Sequence, residues 1–322
     1  MADTSLGGAP VVEIVRSGFV ESRHHGSVAV LDAAGTVVAS VGDVASPIFP
    51  RSSNKPMQAV AMLRAGLDLA DSADLALVAA SHWGEPIHID RVRAMLRAGG
   101  LTENDLRCPP DLPLSESARA AVLRAGGGRT RVYMNCSGKH TGMLLTCRAA
   151  GWPLDDYRSP EHALQRACLA AVGEFAGEPV TAHGVDGCGA AVGAISLQGL
   201  ARAFLAVASA PPGSDPRRVA DAMRAHPDLV SGPGATDDRL MRAVPGLLSK
   251  GGAEGVLAVA LPGTGAAAIK IDDGNPRGQL PVLVAALASL GVTGDALVPL
   301  AHVPVLGGGV EVGHARALPA LF

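Results

Sequence analysis

Pro50-Arg51-Ser52-Ser53-Asn54-Lys55-Pro56 is the dividing line of this chain. Ahead of it lie short β-branched and apolar runs. Behind it begins a long stretch of helix-forming residues. Ser52 and Lys55 are three residues apart, close enough for a hydroxyl and an amine to meet across one turn. A lysine held neutral can deprotonate such a serine and make a nucleophile without a histidine. Pro56 biases Lys55 away from helical angles. That places Lys55 at the start of the helix, with Pro56 in the first turn, where its missing N–H does no harm. Ser52 then sits in the turn leading in, near the positive end of the helix dipole. That end would stabilise an oxyanion and help keep a nearby lysine neutral. The alternative is that Ser52 or Ser53 is only an N-cap, a role serine favours.

Upstream of this stretch, Val11 to Val15, Gly26 to Asp32 and Val37 to Val41 alternate or run apolar. Ala33-Ala34-Gly35 is a plausible hairpin connection, so the region predicts an antiparallel meander. Downstream, helix-forming composition recurs over Pro56–Arg64, Leu75–Ala80, Ile87–Ala98, Glu116–Ala125, Gly142–Ala150, Glu161–Phe175, Leu197–Ala208, Arg217–Ala225 and Asp237–Ala243. Several of these begin at Ser, Thr or Asp and end at Gly or Pro. Strands return at Gly255–Leu261 and Gly265–Asp272. A helix at Leu280–Leu290 precedes one last extended segment, Val303–Val312. Strands at both ends and helices between them predict an α+β fold, not an alternating one. The expected layout is one antiparallel sheet built from both chain ends, about 10–50 and 255–315. A largely helical region, about 55–250, is inserted between them, and residues 1–322 form a single catalytic unit.

Composition narrows the function classes. Of 322 residues, 48% are hydrophobic but only 3% aromatic, and 40 are glycine, so small side chains suit close helix packing. The net charge of −3 and the lack of a basic block give no reason to expect nucleic acid or acidic lipid as a partner. Met1 to Pro10 lacks the basic start and apolar core of a signal peptide. The longest uncharged apolar run, Leu280 to Val292, is too short to span a bilayer. A cytoplasmic protein with no membrane partner is expected. Cys108, Cys136, Cys147, Cys168 and Cys188 are odd in number and irregular in spacing, which argues for reduced thiols.

Four further segments carry chemistry. Ser81-His82-Trp83-Gly84-Glu85 is polar enough, between two helical runs, to be a pocket wall or simply a capped turn. Asn135-Cys136-Ser137-Gly138-Lys139-His140 resembles a phosphate loop only at Gly138-Lys139. Tyr133 stands where the first glycine belongs and His140 where a Ser or Thr is needed, so that reading fails. Val185-Asp186-Gly187-Cys188-Gly189 is a glycine turn. Cys136 and Cys188 could contribute two thiolates to zinc, with His140 or a neutral Lys139 as a third ligand, or they could be two buried thiols. Lys270 stands alone in an apolar strand. Facing inward its pKa should fall; facing out it is an ordinary solvated lysine.

Taken in order, Pro-Arg-Ser-Ser-x-Lys-Pro, Ser-His-x-Gly-Glu, Asn-Cys-Ser-Gly-Lys-His, Val-Asp-Gly-Cys-Gly and Ile-Lys-Ile-x-Asp-Gly resemble the Rhizobium-type L-asparaginases from about Val12 to Gly313. The resemblance implies a fold similar to serine β-lactamases and glutaminases, and hydrolysis of L-asparagine to L-aspartate and ammonia. It implies two Ser–Lys pairs, Ser52 with Lys55 and Ser81 with Lys270. It also implies zinc held by Cys136, Lys139 and Cys188, and substrate contacts from Arg51, His140 and Asp186. The expected assembly is a homodimer. Trp83, bulky for its position, and the small-residue lead Pro262–Ala268 are the two departures from the family pattern. The rival readings are another Ser–Lys acyl hydrolase, acting on glutamine, a β-lactam or a peptide, and a zinc-binding protein without turnover.

Overall fold

In the computed structural model, residues 7–322 are described; most of the Met1–Pro10 segment lies outside them. The chain opens with strands β1 (Ala9–Arg16), β2 (Phe19–Asp32), β3 (Val37–Val41) and the short β4 (Pro47–Ile48). Six helices follow: α1 (Lys55–Arg64), α2 (Ser72–Val78), α3 (Pro86–Ala98), α4 (Glu116–Arg124), α5 (Ser137–Ala150) and α6 (Ala163–Ala176). Then come β5 (His183–Val185), β6 (Ala191–Gly193) and β7 (Ile195–Ser196). Helices α7 (Leu197–Ala208), α8 (Asp215–Ala225), α9 (Pro227–Val230) and α10 (Thr236–Ala243) lead to β8 (Leu248–Gly251), β9 (Val256–Leu261) and β10 (Gly265–Ile271). The chain closes with α11 (Gln279–Ser289), α12 (Val298–Ala301), β11 (Val303–Gly307) and β12 (Val310–Ala317).

The main sheet has eight antiparallel strands in the order β11-β12-β1-β2-β10-β9-β8, with β3 joined to β2. β2 is long enough to serve two halves. Its first part pairs with β1 (Glu13↔Arg23). Its second part pairs with β10 on one edge (Val28↔Ile269) and β3 on the other (Val28↔Val41). The α+β layout with strands from both ends is therefore as the sequence predicts.

Strand alternation gives the sheet two apolar faces. Ala29, Leu31, Val256, Ala258, Ala260, Ala266 and Ala268 face the helical layer, where α7 lies across β2, β9 and β10. Val28, Val30, Leu257, Val259, Ala267 and Ile269 face Leu283, Ala286 and Leu287 of α11 and Leu240 of α10. The alanines of β10 let α7 come close, which accounts for the small-residue lead. Pro262–Ala268 shapes the helix–sheet spacing and does not line the cleft described below.

The expected elements differ from the structure at four places. Val303–Val312 is two strands turning at Gly308-Gly309, so the segment is a hairpin. β8 and the small hairpin β5–β6 had no alternating pattern long enough to read. α5 begins at Ser137, not Gly142, which puts Lys139 and His140 on the helix. Gly138 and Gly142 explain why. A Cβ on Gly138 would sit 2.5 Å from the Leu77 carbonyl oxygen, and one on Gly142 2.7 Å from Val78, so glycine at both lets α5 lie directly on α2. All five cysteines are unpaired and buried. Burial pushes Cys108 and Cys168 up to about 12 and Cys147 up to about 11. No helix of the described residues is long and apolar enough to cross a membrane.

Candidate active site

α1 is buried on every side, from Lys55 to Leu63, among α5, α6 and α8. A helix buried all round has no solvated face to receive a charge. Lys55, with its side chain inside, must therefore satisfy its amine from the protein. Pro56 stands in the first turn as expected, but Lys55 ahead of it is itself helical (φ −61°, ψ −34°), against the bias a following proline imposes. The residues just before it, Arg51–Asn54, form a single 3₁₀ turn that carries Ser52. Neither serine caps α1; Ser53 Oγ instead donates to the Pro50 carbonyl at 2.6 Å. Arg51 holds φ at 55°, a left-handed conformation uncommon for a residue with a side chain, and such strain concentrates at functional sites.

The Lys55 amine donates to the Ala80 carbonyl at 2.5 Å, to Ser81 Oγ at 2.8 Å and to Cys136 Sγ at 3.1 Å. It thus meets the second serine and a candidate metal thiol. Among the described residues it makes no hydrogen bond to Ser52. Ser81 is set by its own segment. α2 is N-capped by Asp71 and runs out at Val78. The chain then extends between two neighbours: the Ser81 N–H donates to Val230 O at 2.8 Å, His82 to Asn135 O at 2.9 Å and Trp83 to Ser231 O at 2.6 Å. His82 is buried, stacks on His88 at 5.3 Å and bonds Ser137 Oγ at 2.8 Å. Burial, then His88 and Lys55, holds it well below the usual imidazole range, so it is a neutral prop.

Ser52 and Ser81 line one cleft of about 280 Å³, together with Trp83, Asn135, Thr236 and Lys250. Lys250 comes from β8 and is 1% exposed. Its amine donates to Gly251 O at 2.7 Å and lies 3.5 Å from Asp237. Asp237 also accepts from Ser249 Oγ and the Gly251 N–H, in the first turn of α10, where a carboxylate suits the helix dipole. Burial outweighs Asp237 and brings Lys250 down to about 8. Gly252 presses against the Ser52 turn: a Cβ there would stand 2.7 Å from Pro50 O and 3.3 Å from the Ser53 nitrogen.

Lys270 is elsewhere. Its amine donates to Glu254 O at 2.6 Å and Ile271 O at 2.8 Å, and it does not line the cleft. Half-burial lowers it, as an inward lysine should be lowered, but the structure does not bring it to Ser81. A second buried lysine, Lys250, lines the cleft with both serines, and sequence reasoning missed it. The usable signal was Lys250-Gly251-Gly252, a lysine before two glycines where the chain returns from helices to strands.

Cys136, Lys139 and Cys188 do come together. Lys139 Nζ lies 3.2 Å from Cys188 Sγ, and Cys136 is close enough to Cys188 for the two thiols to titrate against each other. The Cys136 neighbour, followed against burial by Lys139 and His140, holds Cys188 well below the usual thiol range. Cys136 is raised by its neighbour Cys188 and by burial. Burial opposes it, yet the two sulfurs raise Lys139. Two sulfurs and an amine nitrogen are a donor set suited to zinc, and the buried Nε2 of His140 has no hydrogen-bond partner.

Of the expected substrate contacts, Arg51 and Asp186 do not line the cleft themselves; they are paired with each other, Nε to Oδ1 at 2.7 Å, with Glu254 3.7 Å from the same guanidinium. His140 is fully buried and bonds the Tyr157 hydroxyl at 2.7 Å, behind Cys188 and away from the cleft wall. Contacts therefore run from Ser81 through Lys55 to Cys136 on one side, and from Lys139 through Cys188 and Asp186 to Arg51 on the other.

No curated protein matches the chain significantly. Among solved structures it is similar to Mglu in its native form, at 14% identity over 84% of this chain and 66% of that one, with a TM-score of 0.45. It is also similar to a beta-lactamase from Mycobacterium bovis (17% identity, 83% and 95% covered, TM-score 0.36) and to the probable glutaminase ybaS (14%, 82% and 85%, 0.40). The chain spans less than two thirds of the Mglu structures, 66% of the native form and 60% of the glutamate form. A family model described as L-asparaginase II matches residues 12–317, nearly the whole chain, and on that match the chain belongs to the L-asparaginase II family.

Proposed function

We propose that this amidohydrolase converts L-asparagine and water to L-aspartate and ammonia through an acyl-enzyme on Ser52. The observation that carries the reading is the Lys55 amine at 2.8 Å from Ser81 Oγ, in the wall of a cleft that also holds Ser52 and Lys250. Ser52 Oγ attacks the side-chain amide carbon. Its proton passes through the Ser81 hydroxyl to the Lys55 amine as base. Backbone N–H groups at the start of α1 stabilise the oxyanion. The C–N bond then breaks and ammonia leaves with a proton from the lysines. Water adds to the ester by the reverse path, releasing aspartate and restoring Ser52. Lys250, brought close to neutral pH by burial, is the second base, in the place the resemblance gave to Lys270.

The Arg51 guanidinium would take the substrate α-carboxylate and Asp186 its α-ammonium, the substrate replacing their mutual contact. Ser231 Oγ lines the cleft, is buried and has no hydrogen-bond partner, so it is available to a polar group of the substrate. Cys136, Lys139 and Cys188 would hold zinc after losing the protons that Cys136 and Lys139 carry. When bound, zinc would supply a Lewis acid near the cleft. Sheet and helical region act as one catalytic unit, since each supplies part of the cleft, and the working assembly is a homodimer in the cytoplasm.

Ser81 as the nucleophile is the second reading, favoured by its direct bond to Lys55. The deciding experiment measures ammonia from asparagine and from glutamine, with and without a chelator. Release from asparagine alone supports the proposal. Equal release from glutamine assigns a different amide substrate, and no release with zinc retained assigns a binding protein.

A further inference from the structure

At the edge of the sheet opposite β8, the hairpin β11–β12 carries a second donor cluster. The geometry points to a binding site for a divalent transition-metal ion made by His302, Glu311 and His314. Glu311 and His314 are three residues apart, and in a regular strand they would face opposite sides. The ladder is not regular. Pro304 pairs with His314, Val305 with Gly313 and Leu306 with Glu311, so Val312 is an extra residue on β12. That bulge returns Glu311 to the face of His314, and bulges commonly re-aim side chains in this way. His302, two residues before Pro304, shares the face. Val305 and Ala315 face the core, so the three donors face solvent.

The imidazole and carboxylate atoms of the trio all lie within 4.8 Å of one another. His302 Nε2 is 2.9 Å from Glu311, and the two imidazole centroids are 5.4 Å apart. A tetrahedral ion with bonds near 2.0–2.1 Å needs donors ~3.3 Å apart. Small rotations of exposed side chains reach that spacing. Among the described residues no lysine or arginine lies within salt-bridge distance of Glu311; the nearby Arg16 and Arg316 pair with Glu21 and Glu13. The carboxylate charge is thus left for a cation. Two imidazole nitrogens and one oxygen suit zinc, nickel, cobalt or copper and not magnesium or calcium. The ion would replace the proton between His302 and Glu311 and tie β12 to the chain entering β11, at an edge where Leu306 and Val310 are exposed.

Cobalt(II), titrated into the protein without a polyhistidine tag, tests the site. Cobalt on cysteine shows a thiolate charge-transfer band; cobalt on this trio shows only weak visible absorption. The expected result is thiolate-free cobalt uptake, weakened more than about tenfold by His302→Ala or His314→Ala and abolished by both together. Proteolysis at Gly308-Gly309 should be slowed by cobalt in the wild type and not in the double variant, whose unchanged melting curve without metal confirms its fold. Unchanged thiolate-free uptake in the double variant overturns the proposal. So does a wild type that takes up cobalt only with the thiolate band, or not at all.

Discussion

The amine of Lys55 and the hydroxyl of Ser81 stand 2.8 Å apart, although 26 residues separate them, and the same amine reaches Cys136 at 3.1 Å. One buried nitrogen thus adjoins both a nucleophile-bearing cleft and a candidate metal site. Its three contacts are the Ala80 carbonyl, Ser81 Oγ and Cys136 Sγ. Lys55→Met should lower kcat/KM for asparagine by about 10²–10⁴-fold, the usual contribution of a positioned base. Ammonia release measures it, and retention of more than a tenth of the rate would remove Lys55 from the proton path.

The two serines separate by where the acyl group lands. Ser52→Ala should abolish turnover and leave no acyl adduct by intact-protein mass spectrometry. Ser81→Ala should be slow but still label at Ser52. An adduct on Ser81 in the Ser52→Ala protein would reverse the assignment.

Lys250 links activity and stability to pH. Its folded pKa, about 8, lies below the unfolded value near 10.5. The unfolded chain therefore binds more protons between those values, and folding stability rises with pH across that window. Below about pH 8 the full cost of burying the charge is present, about 3 kcal/mol from the size of the shift. Lys250→Met should raise the denaturation midpoint at pH 7, flatten the rise above pH 8 and lose most activity. In the wild type, kcat/KM should climb through about pH 8 as the amine is freed. A flat profile from pH 6 to 9 would count against a lysine base.

In a His302→Ala/His314→Ala background, which removes the surface trio, zinc content should be about one ion per chain and fall in Cys188→Ser. Removing it with a chelator should lower the rate by at least about tenfold if the ion takes part. Zinc retained in Cys188→Ser on that background would show that these residues do not hold it.

Trp83 lines the cleft and lies against Gly232, where a Cβ would come within 2.8 Å of the indole. Trp83→Ala opens that wall. The ratio of kcat/KM for glutamine over asparagine should then rise by about tenfold, the discrimination carried by roughly one methylene. An unchanged ratio would leave substrate length to another wall.

Much of this was legible before the structure, because it was written locally. Pro56 marked the start of α1, β-branched runs marked β1 and β3, and apolar runs marked β9 and β10. What was not legible depended on contacts across the chain. Ser137–His140 looks like a loop by composition and becomes helix only because Gly138 and Gly142 let it lie on α2. Lys250 sits on a four-residue strand with no pattern of its own, and its closeness to Ser52 exists only once β8 joins β9. Lys270 drew attention because its strand was readable, yet its amine turns to Glu254 and Ile271. The Ser52–Lys55 spacing was correctly seen as important, but a three-residue spacing could not show that Lys55 would point to Ser81.

β2 gives the molecule a birth-order problem. Its second half must register with β10, Val28 against Ile269, and roughly 240 residues are synthesised between them. At about 5–20 residues per second, that edge waits on the order of 10–50 seconds for its partner. The nascent meander β1–β2–β3 spends that time with an apolar strand exposed along the side that β10 will later cover. Output in the cell should therefore respond to translation speed and chaperone supply more than the finished protein's stability alone would suggest.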